Sequence, residues 1–483
     1  MTIIKLMELK DKKVLIMGLG TLGGGLSSVK WFLNHGAEVT VTDLKTEKDL
    51  EKSLKKLGPL SRKIKFVLGR HDDEDFKRND IVVINPAVPK ESPFIFLAKK
   101  NKKILVNDAR IFFDTVKNRT VAVTGTRGKT TTVNWIAHFL SAKGNKVTAA
   151  GNSSSLALLD LLSGTKNRKG PLVLELSSWQ LELLPGAKRS PDVAVITNLY
   201  PDHLNRYESM KDYALAKANI FKNQKRNQKL ILNKDNDWTS FFLKLKPKSK
   251  IYFFSKKPLG RGENGLFLKD GLFYLREGDK QKEVFSKNEV EAVIKRGEHN
   301  VSNFLAASLA SYLAGVSFSD IKKSIKNLPD VKYREEVVLK RKNMLFVNDS
   351  AATSPDAVLA AILRFKNEGR VILITGGTDK NLNFEPMARK MKKILGPEDV
   401  FFLEGSATKN LFRELKKLNY FGKSKPQLFE NLGDILKAIR SAEYEASAGK
   451  KIVLFSPGAA SFEKFKNEFD RGEKFDKLIR LNF

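Results

Sequence analysis

Short apolar runs recur along this chain, each closed by a glycine, proline or acidic residue and followed by a stretch with helical spacing. VLIMG (14–18) predicts a strand and Leu26–His35 a helix. AEVTVTD predicts a second strand that ends at Asp43. IKFVLG, DIVVINP and KILVND predict further strands. From about residue 118 the pattern restarts. VAV (121–123) is a strand followed by the helical VNWIAHFL. GNKVTAAGN, PLVLELSSWQLE and DVAVITNLYPDHLNRY each open as a buried strand, and SMKDYALAKANIFKN follows as a helix. Residues 222–288 are lysine-rich with short strands, KLILN and KIYFFS among them. HNVSNFLAASLASYLAG is a helix. A third series follows from about residue 331: LFVNDS, VILITGG, DVFFLEG and KIVLFSPG, each strand leading into a helical segment.

Strand–helix alternation of this kind builds parallel sheets covered by helices, so the fold class is α/β. The chain has 483 residues, too many for one core. Two to four domains are expected, and the pattern falls into three sections, 1–117, 118–330 and 331–483, with LPD (328–330) as a linker.

Two glycine turns sit where a strand passes into a helix. The first is Gly18-Leu-Gly20-Thr-Leu-Gly23, with Asp43 about 20 residues on, the pattern of a dinucleotide site. The second is VAVTGTRGKTTT (121–132), a strand, a glycine turn and a helix start carrying Gly125, Gly128 and Lys129. Such a turn aims backbone N–H groups and the positive helix end at one point. Lys129 adds a mobile charge for β/γ-phosphates, and Thr130 or Thr131 a hydroxyl for Mg²⁺. ATP or GTP binding is expected. The spacing departs from G-x-x-x-x-G-K-[ST], because the earlier glycine stands three residues before Gly128 and Val123 occupies the position five before it.

Composition narrows the chemistry. There are no cysteines, which excludes disulfides, thiolate zinc sites and iron–sulfur clusters and suits a cytoplasmic location. The N-terminus lacks a signal-peptide layout, and no apolar run approaches the roughly 20 residues of a membrane span. No membrane insertion is expected. The formal net charge of +33 raises nucleic-acid binding as a possibility, but the lysines are spread through almost every segment. No zinc finger, helix-turn-helix or RNP motif accompanies them, so no specific nucleic-acid partner is expected.

Polar residues cluster at the ends of the predicted strands, where open α/β sheets bind ligands. Glu175 follows LVL; Asn198, Asp202 and His203 follow VAVIT; Asn348 and Asp349 follow LFV; Lys380 follows ITGG.

The stretches GTRGKTT, LELSSWQLE, TNLYPDHLNRYESMKDYALAKANIF, HNVSNFLAA, YREE, NDSAATSPDA and SPGAASFEKFKNEFDRG together resemble the Mur ligase family over essentially the whole chain. The resemblance is to the members that add glutamate to UDP-N-acetylmuramoyl-L-alanine. Folylpolyglutamate synthetases share the phosphate loop, but LELSSWQLE and the SPGAASFEKF ending match the glutamate-adding type. The resemblance implies a Rossmann-like UDP domain, a central P-loop ATPase-like domain and a C-terminal Rossmann-like domain that receives the amino acid. It implies a monomer that takes UDP-N-acetylmuramoyl-L-alanine, glutamate (D rather than L) and ATP, with two magnesium ions and a carbamylated lysine.

The same resemblance implies roles by position. Gly18, Gly20, Gly23 and Asp43 would hold the UDP group, and Asn152 the muramoyl part. Thr126, Arg127, Gly128, Lys129, Thr130, Thr131 and Thr132 would surround the phosphates. Asn303, Arg334 and Asp349 would hold adenine, phosphate and ribose. Thr130, Glu175, His203 and Lys217, the last as a carbamate, would meet magnesium. Lys380, Ser461 and Phe462 would bind glutamate. Lys129, Lys217, His203 and Glu175 would carry the chemistry. Three positions depart from the pattern. Arg127 stands where Asn or Lys is frequent, and Ala351 replaces the lysine of NDSKAT. The first glycine loop, extended by Gly24 and Gly25, is about two residues longer than usual. Ala351 keeps a ligase using L-glutamate or another amino acid as the alternative. Rossmann oxidoreductases and nucleotide-dependent nucleic-acid-binding proteins are other classes, and the first of these leaves Lys129 without a role.

Overall fold

Twenty strands among the described residues form three sheets. The computed structural model describes residues 9–483 except 22, 143, 145–146, 152–155, 163–169, 204–205, 381, 443–447 and 462. The chain divides into two compact units, Met1–Glu291 with Val301–Leu328, and Ala292–Asn300 with Pro329–Phe483. The later division falls inside LPD, between Leu328 and Pro329.

The first unit holds two sheets. In the first sheet β1 (Lys13–Met17), β2 (Glu38–Asp43), β3 (Ile64–Leu68), β4 (Ile81–Ile84) and β5 (Ile104–Val106) run parallel in the order β3-β2-β1-β4-β5. Ile16 lies between Val41 and Val83 in register. Alternate β1 residues face opposite cores, Val14 and Ile16 on one side, Leu15 and Met17 on the other. Strands buried on both faces read as unbroken apolar runs, which is why VLIM is legible without alternation.

The second sheet contains β6 (Thr120–Thr124), β7 (Thr148–Gly151), β8 (Leu172–Glu175), β9 (Val193–Ile196), β10 (Lys229–Asn233), β11 (Lys250–Ser255), β12 (Gly265–Lys269), β13 (Leu272–Glu277) and β14 (Lys280–Phe285). Its order is β14-β13-β12-β11-β10-β9-β6-β8-β7. Strands from β7 to β12 are parallel, and β12-β13-β14 is an antiparallel meander. The sequence pattern predicted short strands here but not their reversal. β14 explains why: KQKEVF is exposed over its first four residues, and a lysine-rich edge strand carries little alternation. One apolar cluster runs from Val14 and Phe32 of the first sheet through Leu158 and Leu161 to Leu174, Ile196 and Phe221 around the second.

The second unit is built on β15 (Glu336–Arg341), β16 (Met344–Asn348), β17 (Arg370–Thr375), β18 (Val400–Leu403), β19 (Gln427–Phe429) and β20 (Lys451–Phe455), ordered β15-β16-β20-β17-β18-β19. Only β15 is antiparallel. Ile452 and Leu454 of β20 face one core and Val453 and Phe455 the other. No helix among the described residues is long and apolar enough to cross a membrane.

Eight of the α-helices among the described residues begin on a side-chain cap. Ser209 accepts from the Asp212 amide at the start of Met210–Lys222, and Ser177 forms a capping box with Gln180. Two helices begin instead on glycines in left-handed conformation, Gly23 before Gly24–Asn34 and Gly128 before Lys129–Ser141. Neither glycine has a side chain to cap the first-turn amides, which are left to other partners.

Close backbone contact fixes the first of these turns. A Cβ on Gly25 would lie 2.3 Å from the Leu19 carbonyl oxygen and 2.6 Å from that of Gly18. Gly25→Ala is therefore expected to lower stability by about 2 kcal/mol, the middle of the range for overpacking. Urea unfolding followed by circular dichroism checks this; an unchanged midpoint would contradict the packing described.

Candidate functional site

Each glycine turn lies after a central strand, next to a point where the sheet order switches direction. In the first sheet Gly18 (φ 92°), Gly20 (φ 61°) and Gly23 (φ 100°) all adopt positive φ. The Gly18 amide donates to the Thr42 carbonyl at 2.8 Å. Asp43 is buried beside them. Its carboxylate accepts from the Gly20 amide at 3.0 Å and the Lys45 amide at 2.9 Å. All four residues expected at the first loop are thus together, and Asp43 holds the loop's shape through backbone contacts.

The second turn is wedged between two strands. Gly125 has φ 147°, and a Cβ there would fall 1.9 Å from Thr197 Oγ1. The Thr126 amide donates to the Asn198 carbonyl (3.0 Å) and the Arg127 amide to Asn198 Oδ1 (2.9 Å). The Arg127 carbonyl in turn accepts from Thr197 Oγ1 (2.6 Å) and Asn198 Nδ2 (3.1 Å). The end of β9 therefore templates the loop after β6. The Arg127 guanidinium lies 5.1 Å from the centre of the half-exposed Tyr200 ring. Lys129 Nζ donates to the Thr126 carbonyl at 3.1 Å. Thr131 is buried; Thr132 is fully buried, and its Oγ1 has no partner among the described residues. The position a Gly128 side chain would take is 2.2 Å from Asn303 Oδ1, so Asn303 closes against the turn. The Thr130 carbonyl accepts from Asn134 Nδ2.

Lys217 is 1% exposed. It projects from the helix Met210–Lys222, and its Nζ donates to the Gly125 carbonyl at 2.9 Å, 4.5 Å from the centre of the Tyr213 ring. Burial, and next the Lys129 charge, hold its pKa well below the usual lysine value; Asp202 and Glu175 pull the other way. Glu175 ends β8 and is 3% exposed. His203 sits in a left-handed turn (φ 56°), with Nε2 3.6 Å from Asp202 Oδ2 and its ring 5.3 Å from that of Trp179.

Among the described residues no three His, Asp or Glu side chains gather as a metal cage. The donors present still fit magnesium. Mg²⁺ keeps several waters and is bound through one or two carboxylates plus substrate phosphates. The left-handed Gly128 cap and the unpartnered buried Thr132 hydroxyl beside Lys129 fit a phosphate ligand.

Two residues missing from the expected set, Tyr213 and Thr197, belong here beside Asn198, which the sequence marks as a polar residue at a strand end. Tyr213 stands four residues before Lys217, on the same helix face, and its hydroxyl is 3.3 Å from Thr126 Oγ1. That i, i+4 spacing was a usable signal. Thr197 and Asn198 shape the loop through bonds between distant strands; strand-end position marks Asn198, but no local spacing announces Thr197.

In the second unit Asp349 follows β16. Ser456 Oγ donates to Oδ2 at 2.6 Å and the Glu335 amide to Oδ1 at 3.2 Å. Burial and the nearby Glu335 raise its pKa above the carboxylate range. Arg334, next to Glu335 in sequence, is exposed. Elsewhere Thr378 and Ala460 exchange backbone hydrogen bonds, which draws the segments carrying the exposed Lys380 and the buried Ser461 alongside each other. Ser461 Oγ has no partner among the described residues. Arg471, another residue the sequence reading passed over, is wholly buried. It donates to the carbonyls of Ala459, Ala460 and Ser350, joining the NDSAAT and SPGAAS loops. Ala351 is half-buried with its amide on the Tyr333 carbonyl. Asn152 and Phe462 lie outside the described residues.

The Mur ligase MurD-like N-terminal domain matches residues 12–107 and the Mur ligase middle domain residues 123–311. With relatives 35% identical over nearly its whole length, the chain belongs to the Mur ligase family. One such relative is the UDP-N-acetylmuramoylalanine–D-glutamate ligase of Borreliella afzelii (strain PKo), aligned over 99% of this chain and 100% of its own. The ligase of the same name from Roseiflexus sp. (strain RS-1) aligns over 98% and 99%. Two solved structures share the fold. The pseudomurein peptide ligase type C from Methanothermus fervidus has a TM-score of 0.53 at 19% identity, covering 97% of this chain and 100% of its own. The MurF ligase from Thermotoga maritima in complex with ADP has 0.56 at 17%, covering 99% and 97%.

The buried amine gives a testable pH dependence. The folded pKa of Lys217 lies well below its unfolded value, so the unfolded chain binds more protons between the two, and stability rises with pH through that window. Lys217→Met removes this contribution. In bicarbonate-free buffer the variant is expected to melt at least about 2 °C higher than wild type near pH 6, with the gap narrowing toward pH 9. Calorimetry checks this; identical pH slopes would contradict it.

Proposed function

We propose that this chain is an ATP-dependent ligase that joins D-glutamate to the carboxylate of UDP-N-acetylmuramoyl-L-alanine in peptidoglycan precursor synthesis. The observation that carries the reading is the buried Lys217 amine beneath the phosphate loop, in a chain matched end to end by ligases of that name. The three stretches 1–117, 118–330 and 331–483 are assigned to UDP, ATP and glutamate.

In this reading the amides of the Gly18–Gly23 turn receive the UDP pyrophosphate, with Asp43 keeping the turn open, and Asn152 meets the muramoyl group. Thr126–Thr132 surround the ATP phosphates. Lys129, now resting on the Thr126 carbonyl, swings onto the γ-phosphate. Asn303 meets adenine, Asp349 the ribose and Arg334 a phosphate. Lys380, Ser461 and Phe462 receive glutamate, and the unpartnered Ser461 hydroxyl supports that role.

The substrate carboxylate attacks the γ-phosphorus, ADP leaves, and an acyl phosphate forms. The glutamate amine then attacks the acyl carbon, loses a proton, and phosphate departs. Two magnesium ions, held by Thr130, Glu175, His203 and Lys217 with the phosphates, would supply charge neutralisation across the transferring oxygens. Lys217 is suited to its part because burial and the Lys129 charge lower its pKa and favour the neutral amine. A neutral amine adds CO₂ and releases a proton, giving an anionic oxygen donor of the type hard cations prefer. The loop glycines fix the alignment, and alignment with charge stabilisation supplies most of the rate.

Phosphate release and peptide formation, measured with UDP-N-acetylmuramoyl-L-alanine, ATP, Mg²⁺ and either glutamate enantiomer, test the reading. D-glutamate is expected to support both. Preference for L-glutamate, lysine, diaminopimelate or alanine would overturn the acceptor, and Ala351 makes the L-glutamate arm informative. Lys129→Ala is expected to lose at least about 100-fold in turnover with its circular dichroism unchanged. Near-normal turnover would refute the phosphate assignment.

A further inference from the structure

In the second unit the segment Val331–Glu336 makes a small arch with an exposed arginine at its top. Tyr333 has φ 62° and Glu335 has φ 49°. Left-handed backbone is uncommon in residues other than glycine and more so in a bulky aromatic one, and such outliers persist only where the surroundings hold them. Both side chains are buried, whereas Arg334 between them is exposed.

Each foot of the arch is pinned. The Tyr333 amide donates to Glu336 Oε2 at 2.8 Å, and the Tyr333 carbonyl accepts from the Ala351 amide at 3.0 Å. Its ring lies so close to Gly472 that a Cβ there would fall 2.5 Å from Tyr333 Cδ1. On the other side the Glu335 carboxylate receives Arg364 Nη1, from the helix Pro355–Phe365, through a short bond, and its other oxygen lies 3.8 Å from His299 Nε2. The Glu335 amide points back at Asp349 Oδ1. One residue thus ties Arg334 and Asp349 into a fixed relation through its amide while its own carboxylate is anchored to Arg364.

We propose that Glu335, held by Arg364, is a positioning residue that sets Arg334 for its contact with the ATP phosphates. The proposal rests on the assignment of Arg334 to ATP. Loss of the carboxylate leaves the left-handed turn without its anchor and the Arg364 guanidinium without its acid, so the arginine head wanders. Misplacement by about 1 Å is enough to lower turnover 10²-fold in well-aligned sites.

The test is a set of variants assayed by phosphate release and by thermal melting: Glu335→Ala, Glu335→Gly, Arg334→Ala and the Arg334→Ala/Glu335→Ala pair. Glu335→Ala is expected to lower kcat at least about tenfold. The pair is expected to be no worse than Arg334→Ala within about twofold, because a positioning role vanishes with the residue positioned. Glu335→Gly, which relaxes the left-handed penalty, is expected to melt no lower than Glu335→Ala and yet be no more active. A merely structural role would tie activity to melting temperature. Should Glu335→Ala fail to fold, Glu335→Gln keeps the shape and one bond to Arg364, and is expected to retain intermediate kcat that again disappears as a separate effect in the Arg334→Ala background. Multiplying losses in the pair, or a Glu335→Ala enzyme within twofold of wild type, would overturn the positioning role. Full activity in Arg334→Ala would instead overturn the ATP assignment of Arg334 on which it rests.

Discussion

A lysine amine sealed from water against the carbonyl of Gly125, across 92 residues of sequence, sets the terms for the centre of this protein. Burying an ammonium without a carboxylate in direct contact is unfavourable and shifts the group toward its neutral form. The neighbours keep that condition: Lys129 repels a second cation, the Tyr213 ring covers one side, and Asp202 and Glu175 act from further away. The helix Met210–Lys222 must therefore dock in one rotation, with Tyr213 and Lys217 inward. That rotation in turn closes Thr126 against the Tyr213 hydroxyl.

The loop itself is shaped more by the neighbouring strand than by its own residues. Thr197 and Asn198 grip the Arg127 peptide from both sides, and Gly125 leaves room for the Thr197 hydroxyl that any side chain would fill. The first glycine turn solves the same problem differently, with the Asp43 carboxylate as strut. In both, the strained backbone is glycine and the bonds that hold it come from an adjacent strand. The arch at Tyr333–Glu335 departs from this rule, since non-glycine residues carry the left-handed turns and buried side chains hold them.

The sequence makes the architecture legible because most strands are buried on both faces. VLIM, VAV and IVLF are unbroken apolar runs, and the glycine-containing turns that follow them mark the strand-to-helix transitions. What it hides are elements whose stability comes from edge pairing, such as the exposed β14 and the three-residue β19. In the site, residues placed at strand ends or in the glycine turn were visible as chemistry, Lys129, Glu175, His203 and Asp349, whereas Lys217, one lysine among many in the chain, was reached only through the family resemblance. Residues that act by backbone hydrogen bonding were not. Thr197 and Arg471 are ordinary in sequence and become meaningful only when distant segments meet, and Asn198, marked in sequence by its strand-end position, shows its hold on the loop only there. Glu335 was visible only as part of YREE, because its partners Arg364 and His299 lie about 30 residues away on either side.

Burial and the Lys129 charge favour the neutral Lys217 amine, the form on which its proposed carbamylation depends. Carbon-13 NMR of the protein equilibrated with ¹³C-bicarbonate addresses it without relying on turnover. A carbamate carbon resonance is expected in the wild type and is expected to be missing from Lys217→Met. Absence of that resonance in a fully active wild-type sample at saturating bicarbonate would contradict the carbamylation.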